Sequence, residues 1–189
     1  MDRLDIPVNM RPTPAKHPWL TVGGEVAALL ADLDSAAFDA AVAALRPNGR
    51  RWFSTGQGRS GLVAQMAAMR LMHLGRDVHV LGEATAPSIG SADGLLVISG
   101  SGHTPVSLHF ARQTKELGGQ VLAVTANLTS PLGASADIVL QVPRTKSSQF
   151  GGSLFEQGAL LVLDAVVLAL AAEQQDAYRT MQARHTNLR

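Results

Sequence analysis

Cysteine is absent from the 189 residues of this chain, and aromatic and charged residues are scarce, at 4% and 16%. The absence of cysteine excludes disulfides and thiolate metal sites, and the six histidines are scattered rather than set at the spacing of metal ligands. A net charge of +1 provides neither a basic stripe for nucleic acid nor a polybasic run for a membrane surface. We therefore expect a small-molecule ligand, and no metal, nucleic acid or membrane.

The sequence also lacks a long uninterrupted apolar run. Its first residues include Asp2, Arg3 and Asp5, where a secretory signal would be apolar, and its longest apolar stretch, residues 159–172, contains Asp164. These features predict a soluble cytoplasmic protein. Helical windows rich in Ala, Leu and Val predict smooth helix faces that suit packing between subunits, so we expect a homo-oligomer.

Residues 1–20 contain four prolines and no apolar periodicity, which predicts an extended N-terminal arm before a single domain over residues 21–189. In that domain, five short β-branched or apolar runs alternate with helical or loop segments, a rhythm typical of an α/β fold with a parallel sheet. The predicted strands are residues 51–55, 78–81, 95–99, 121–125 and 138–142. The best-marked predicted helices are residues 60–74, 104–117 and 153 to about 172.

Two loops of glycine and serine follow the first and third predicted strands, and each opens a helix. They read Gly-Gln-Gly-Arg-Ser-Gly over residues 56–61 and Ser-Gly-Ser-Gly-His-Thr over residues 99–104. A helix start offers unpaired N–H groups and positive charge to an anion, and hydroxyls add donors. In an open sheet of order 2-1-3-4-5, which we assume, both loops border the crevice where the strand order reverses. The loops thus indicate a small phosphorylated ligand, held in the second loop by Ser99, Ser101, Thr104 and the Gly102 backbone.

Two other interpretations of these loops remain open. The three glycines of the first loop also match the G-x-G-x-x-G pattern of dinucleotide binding, and Glu83 lies where a ribose-binding acid would belong. Alternatively, the glycines only form tight turns, and Ser60 and Thr104 only cap helices.

Six motifs between about residue 20 and the end of the chain carry a resemblance to a known protein family. They are Gly56-x-Gly58-Arg59-Ser60-Gly61, residues 67–75, Gly82-Glu83, Ser99-Gly100-Ser101-Gly102-x-Thr104, residues 152–157 and His185-x-Asn187-Leu188. Together they resemble the 6-phospho-3-hexuloisomerase family of the sugar isomerase (SIS) superfamily. The resemblance implies a three-layer sandwich around a five-stranded parallel sheet, a homotetramer, and cofactor-free interconversion of 3-hexulose 6-phosphate and fructose 6-phosphate after formaldehyde fixation.

The resemblance also implies roles for individual residues. The phosphate would lie on Ser60, Ser99, Ser101 and Thr104, and the other candidate substrate contacts are Gly58, Arg59 and Gln157. Glu156 would be the base, although Ser153 and Glu156 also have the spacing of a capping box, in which the carboxylate binds its own helix start. His185, in a C-terminal tail that extends toward a neighbouring subunit's site, would polarise the carbonyl or move a proton between hydroxyls, or else would only order the tail.

The chain departs from the family pattern beside the expected site. The sequence Gln149-Phe150-Gly151-Gly152 replaces the usual Gln-Pro-Met-Gly, residues 143–148 form a short segment, and the last residue is Arg189 where Glu is usual. Two alternatives therefore stay open: an isomerase of a different phosphosugar, or a non-catalytic module that binds sugar phosphates.

Overall fold

The computed structural model describes residues 17–47 and 49–187. The strands in this part of the chain are β1 (Trp52–Gly56), β2 (Val78–Val80), β3 (Gly94–Ile98), β4 (Gln120–Thr125) and β5 (Ile138–Gln141). The helices are α1 (Pro18–Ala31), α2 (Ser35–Leu45), α3 (Arg59–His73), α4 (Pro105–Glu116), α5 (Pro131–Ser135), α6 (Ser153–Ala172) and α7 (Ala177–Arg184).

The five strands form one sheet of order β2-β1-β3-β4-β5, and every pair of neighbours is parallel. All five residues of β3, at the centre, are buried, as expected for a strand covered on both faces. The predicted α/β class, the strand order and the five-stranded parallel sheet are confirmed. Because all strands run the same way, their carboxyl ends meet at one edge of the sheet, where the loops after β1 and β3 lie side by side.

The two faces of the sheet carry cores of different size. On one face, β-strand residues such as Leu96, Leu122 and Leu140 pack in a large cluster with α1, α2, α3 and α6. On the other face, Leu95, Val97 and their neighbours pack in a smaller cluster with α4 and α5. This arrangement of helices, sheet and helices is the predicted three-layer sandwich. The burial of apolar side chains on both faces supplies the main driving force for folding.

Two features differ from the expectations. Helix α1 begins at Pro18, because proline is favoured in the first turn, so the predicted arm is too long by three residues; residues 1–16 lie outside the described part. The short helix α5 was not predicted, since five residues are too few to show periodicity. It is capped by Ser130, whose Oγ accepts from the N–H of Gly133.

Helix α6 is, among the described helices, the one long and apolar enough to cross a membrane by length and composition. Its apolar face lies in the larger core, where residues such as Ala159, Val162 and Val166 are fully buried. Asp164, the charge that interrupts this run, pairs with Arg70 of α3. The helix therefore has the contacts of a core helix in an α/β domain.

Candidate active site

A cavity of about 490 Å³ lies at the carboxyl edge of the sheet. Its lining includes residues one or two positions after β1, β3, β4 and β5, namely Gln57, Ser99, Ala126 and Pro143. The cavity therefore spans the point between β1 and β3 where the strand order reverses, and continues toward β5. This is the position that open α/β sheets use for ligands.

Hydroxyl groups from the two predicted loops meet in this lining, which includes Ser60, Ser99, Ser101 and Thr104. Ser99 Oγ donates to Thr104 Oγ1 at 3.2 Å, and Ser101 Oγ accepts from the N–H of His103 at 3.2 Å. The hydroxyl hydrogens of Ser101 and Thr104 are thus left to donate to a ligand. We call these four residues the hydroxyl wall.

Three helices start at the cavity. Arg59 is the first residue of α3, Thr104 is the N-cap of α4, and Glu156 lies in the first turn of α6; all three residues line the cavity. Helix N-termini carry positive partial charge and unpaired N–H groups, so the site favours an anion, and a phosphate group above all.

The structure gives two predicted glycines other roles than ligand contact. Gly102 has φ of +68°, and a Cβ there would collide with the side chain of Ser130. The N–H of Gly102 donates to Ser99 O at 3.1 Å, a hydrogen bond within the loop itself. Gly58 is the N-cap of α3 with φ of +59°, and its carbonyl accepts from Gly61 N at 3.0 Å. Both glycines shape the loops, and both lie outside the described cavity lining.

Glu156 lies in the lining with its side chain 18% exposed, and its Oε2 is 3.2 Å from Nε of Arg59, whose side chain is 50% exposed. The two groups form an ion pair without an aligned hydrogen bond, so within residues 17–47 and 49–187 Oε2 has no hydrogen-bond partner. Burial raises the pKa of Glu156, and the charge of Arg59 offsets this in part. A carboxylate with a raised pKa and a free acceptor suits a general base.

The capping-box interpretation of Glu156 is not supported. The N-cap of α6 is Gly152 rather than Ser153, so Glu156 is the fourth residue of the helix and one position too far for the box. Ser153 Oγ instead donates to Phe150 O at 2.7 Å and accepts from Arg59 Nη1 at 3.0 Å. The carboxylate of Glu156 is therefore paired with Arg59 at the cavity.

Two predicted site residues, Gln157 and His185, lie outside the described lining of the cavity. Gln157 forms a reciprocal amide pair with Gln149, with N–O distances of 2.8 and 3.1 Å, and is therefore occupied outside the described lining. The ring of His185 stacks on His73 with centroids 5.5 Å apart. His73 ends α3, whose first residue is Arg59, so His185 lies about 20 Å from the cavity of its own chain.

Sequence reasoning missed the lining residues supplied by the segment after β5. Pro143, Arg144, Thr145 and Ser147 border the cavity, and the buried Oγ1 of Thr145 has no hydrogen-bond partner in the described part of the chain. Their signal was their position directly after a strand, the same signal that identified the two glycine loops. Glu83, the ribose-binding candidate of the dinucleotide alternative, lies on the loop after β2, outside the described lining. A cluster of three or more metal-ligating side chains is absent from residues 17–47 and 49–187.

Comparisons with known proteins agree with this geometry. A model of the SIS domain matches residues 45–170. The chain is similar to a 3-hexulose-6-phosphate isomerase of Mycobacterium gastri, with 43% identity over 146 residues and 73% of each chain covered. It is 40% identical over 145 residues to a 3-hexulose-6-phosphate isomerase of Bacillus subtilis, covering 72% of this chain and 78% of that one.

A solved structure shows the same fold. It is that of a hypothetical protein from Methanococcus jannaschii, for which a molecular function of 3-hexulose-6-phosphate isomerase was inferred. The TM-score is 0.80 at 28% identity, with 91% of this chain and 99% of that chain covered.

Proposed function

The chain belongs to the SIS domain family and is a sugar-phosphate isomerase, and from that premise we propose that it interconverts 3-hexulose 6-phosphate and fructose 6-phosphate. The observation that carries this proposal is the half-buried carboxylate of Glu156, which shares a cavity with the hydroxyl wall and has a raised pKa. The relatives named above are, by their names, isomerases of 3-hexulose 6-phosphate.

The reaction requires a proton relay and no net oxidation. In 3-hexulose 6-phosphate the carbonyl is at C3, so a base removes the C2 proton and gives a cis-enediol. Return of a proton to C3, with transfer of the hydroxyl proton from O2 to O3, moves the carbonyl to C2. We assign the carbon proton transfer to Glu156, because one carboxylate reaches two adjacent carbons. The chemistry needs no cofactor.

The remaining cavity residues bind the substrate in this proposal. The phosphate group accepts hydrogen bonds from Ser60, Ser101 and Thr104, whose hydroxyl accepts from Ser99 Oγ, and lies at the positive starts of α3 and α4. Arg59 binds sugar oxygens or phosphate and stays close to Glu156. The phosphate anchors one end of the sugar, so that C2 and C3 are held near the carboxylate.

The test of the function is direct conversion. Purified protein incubated with 3-hexulose 6-phosphate should form fructose 6-phosphate without added cofactor or metal, and glucose 6-phosphate and arabinose 5-phosphate should be poor substrates. Conversion of another phosphosugar only would assign a different isomerase. Binding of sugar phosphates with no conversion of any would favour the non-catalytic module.

We further propose a cytoplasmic homotetramer whose subunits complete each other's sites. Large apolar side chains are exposed along α3 and α6, namely Leu62, Met69, Met72, Leu161 and Leu168. A surface of this kind suits a second copy of the chain. His185, remote from its own cavity, would then enter a neighbour's cavity and polarise the carbonyl or move a proton between hydroxyls.

Hybrid oligomers test this shared site. Chains carrying Glu156→Gln and chains carrying His185→Ala should each be nearly inactive alone. When the two are denatured and refolded together, some sites combine an intact Glu156 with an intact His185, and activity should return. A mixture that stays inactive, or a fully active His185→Ala protein, would remove His185 from the site.

The substrate pair gives the reaction a place in metabolism. A 3-hexulose 6-phosphate forms when formaldehyde is fixed onto ribulose 5-phosphate, so we propose that the protein acts directly after that condensation, in the ribulose monophosphate pathway. A gene for the condensing enzyme beside the gene for this chain would support the placement.

A further inference from the structure

Residues 143–149 belong to no helix or strand, and four of them line the cavity. Such a segment keeps a defined position only if contacts outside it hold it there, because its own backbone forms no ladder of hydrogen bonds. Arg144, Thr145 and Ser147 of this segment line the cavity. The contacts that fix the segment therefore also fix part of the substrate site.

A carboxylate from the other end of the chain supplies these contacts. Glu25 in α1 accepts hydrogen bonds from Ser147 Oγ at 2.8 Å, from the backbone N–H of Ser148 at 2.6 Å and from Gln149 Nε2 at 3.0 Å. The hydrogen bonds, that from Ser148 N–H foremost, lower the pKa of Glu25 to about 2, so the carboxylate is ionised at neutral pH. A charged acceptor makes each of these bonds stronger than a neutral pair would be.

The segment is tied a second time through Gln149, which pairs with Gln157 of α6. Glu25, Gln149 and Gln157 thus form a bracket that joins residues 147–149 to α1 and α6, two helices of the larger core. In this bracket both amide atoms of Gln157 are paired with Gln149.

Two side chains beside the bracket, Arg144 and Thr145, can form hydrogen bonds with a polar ligand. The buried Oγ1 of Thr145 has no hydrogen-bond partner within residues 17–47 and 49–187, although buried hydroxyls are usually paired. Arg144 is exposed and lines the cavity, and its guanidinium offers several donors in a fixed plane. Adjacent hydroxyls of a sugar chain match this set of groups.

We propose that Glu25 is a positioning residue for sugar recognition, which holds residues 143–149 so that Arg144 and Thr145 bind the hydroxyl groups of the substrate. This inference rests on the proposed function and deepens it. It also gives a physical meaning to the departures from the family pattern, because the short segment 143–148 and the altered residues 149–152 adjoin this part of the site. In this proposal the hydroxyl wall binds the phosphate group, and residues 143–149 bind the sugar hydroxyls.

The test compares Glu25→Ala with a matched control, Glu173→Ala. The pKa of Glu173 is also lowered, by hydrogen bonds from Arg46, but this exposed carboxylate lies at the far end of α6 from the cavity. Glu25→Ala should raise KM for 3-hexulose 6-phosphate about tenfold and change kcat less than twofold, since the segment must be ordered anew at each binding event. Glu25→Gln, which keeps an acceptor for Ser148 N–H, should give an intermediate KM. The control should match the wild type.

A double-variant cycle separates positioning from general loss of structure. Arg144→Ala should raise KM similarly, and adding Glu25→Ala to it should raise KM less than the two single effects combined, because the bracket acts partly through Arg144. Additive effects, an unchanged KM in Glu25→Ala, or equal falls of kcat and melting temperature in Glu25→Ala and Glu173→Ala would each overturn the inference. If Glu25→Ala does not fold, Ser147→Ala removes one donor of the bracket without touching α1 and should raise KM in the same direction.

Failure of the proposed function gives a different pattern. A wild-type protein that does not convert 3-hexulose 6-phosphate refutes that function whatever the variants do. The role of the bracket in binding is then tested by the rise in melting temperature that fructose 6-phosphate and, separately, inorganic phosphate cause in the wild type and in the variant. Glu25→Ala should weaken the response to the sugar phosphate and keep the response to inorganic phosphate; equal responses to each ligand in wild type and variant would overturn it.

Discussion

The hydroxyl wall and the segment 143–149 border the same cavity, but they are held in place by different means. The first consists of strand ends, helix starts and a loop whose Gly102 has positive φ, so the backbone fixes its geometry. The second lacks regular structure and depends on hydrogen bonds that it donates to the carboxylate of Glu25 and on the amide pair of its Gln149 with Gln157. A backbone-built site suits a group common to many ligands, such as phosphate, while a segment held by side chains can change with sequence at little cost to the fold. We therefore attribute anion binding to the first region and sugar selection to the second.

The largest effect is expected at Glu156, the carboxylate that lines the cavity together with both regions. Glu156→Gln keeps the size of the side chain and removes its ability to accept a proton, so kcat should fall roughly 10³-fold. Affinity for fructose 6-phosphate, measured by the shift in melting temperature, should stay within a few fold of the wild type. A variant that keeps near-normal turnover would take Glu156 out of the mechanism.

A smaller effect, on affinity rather than turnover, is expected in the hydroxyl wall. Ser101 is exposed, so Ser101→Ala should leave stability nearly unchanged and remove one donor to the phosphate. A hydrogen bond to a charged group contributes about 1.5 to 3 kcal/mol, so affinity for fructose 6-phosphate and for inorganic phosphate should fall by roughly 10-fold or more. Ser135→Ala, on α5, provides a control with the same chemical change. Loss of sugar-phosphate affinity with inorganic phosphate binding intact would break the division between the two regions.

The smallest effect is a shift of the pH profile. Burial raises the pKa of Glu156, so the acid limb of kcat/KM should lie above the ordinary carboxyl range. Arg59 lowers that pKa, hence Arg59→Gln should move the limb to higher pH, apart from any loss in binding. A limb that moves to lower pH in this variant would show that the titrating group is not Glu156.

The stability of the folded protein should also depend on pH through Glu156, and the raised pKa defines the direction of that dependence. The folded protein binds a proton at Glu156 more tightly than the unfolded chain does, so this residue's contribution to stability falls as pH rises from the ordinary carboxyl pKa through the raised one. At neutral pH, Glu156→Gln should therefore melt at an equal or higher temperature than the wild type. A clearly lower melting temperature would indicate that the ionised carboxylate stabilises the fold.

The difference between the two regions also explains what the sequence predicted. The glycine and serine loops are local signals, and the alternation of strands with helices implied that their carboxyl ends share one edge, so Ser60, Ser99, Ser101 and Thr104 were placed together correctly. Glu156 was placed through the family resemblance, since its spacing from Ser153 favoured a cap that the observed helix start excludes.

The rest depended on contacts that local patterns do not encode. Glu25 binds residues more than 120 positions away, and no periodicity in α1 marks that contact. The amide pair that occupies Gln157 is likewise tertiary. The prediction that Gly102 offers its backbone to the phosphate rests on loop composition, whereas its hydrogen bond to Ser99 O and the closeness of Ser130 are tertiary details that composition does not encode.

Exchange of carbon-bound hydrogen with solvent tests the central assignment most directly. Fructose 6-phosphate incubated with the protein in D₂O should lose the NMR signal of its C3 hydrogen, because Glu156 removes that proton in the reverse reaction and, being 18% exposed, exchanges it with solvent. The Glu156→Gln protein should leave the signal intact while still binding the sugar phosphate. Exchange at equal rates in both proteins, or interconversion with full retention of the C3 signal, would contradict a proton relay by this carboxylate.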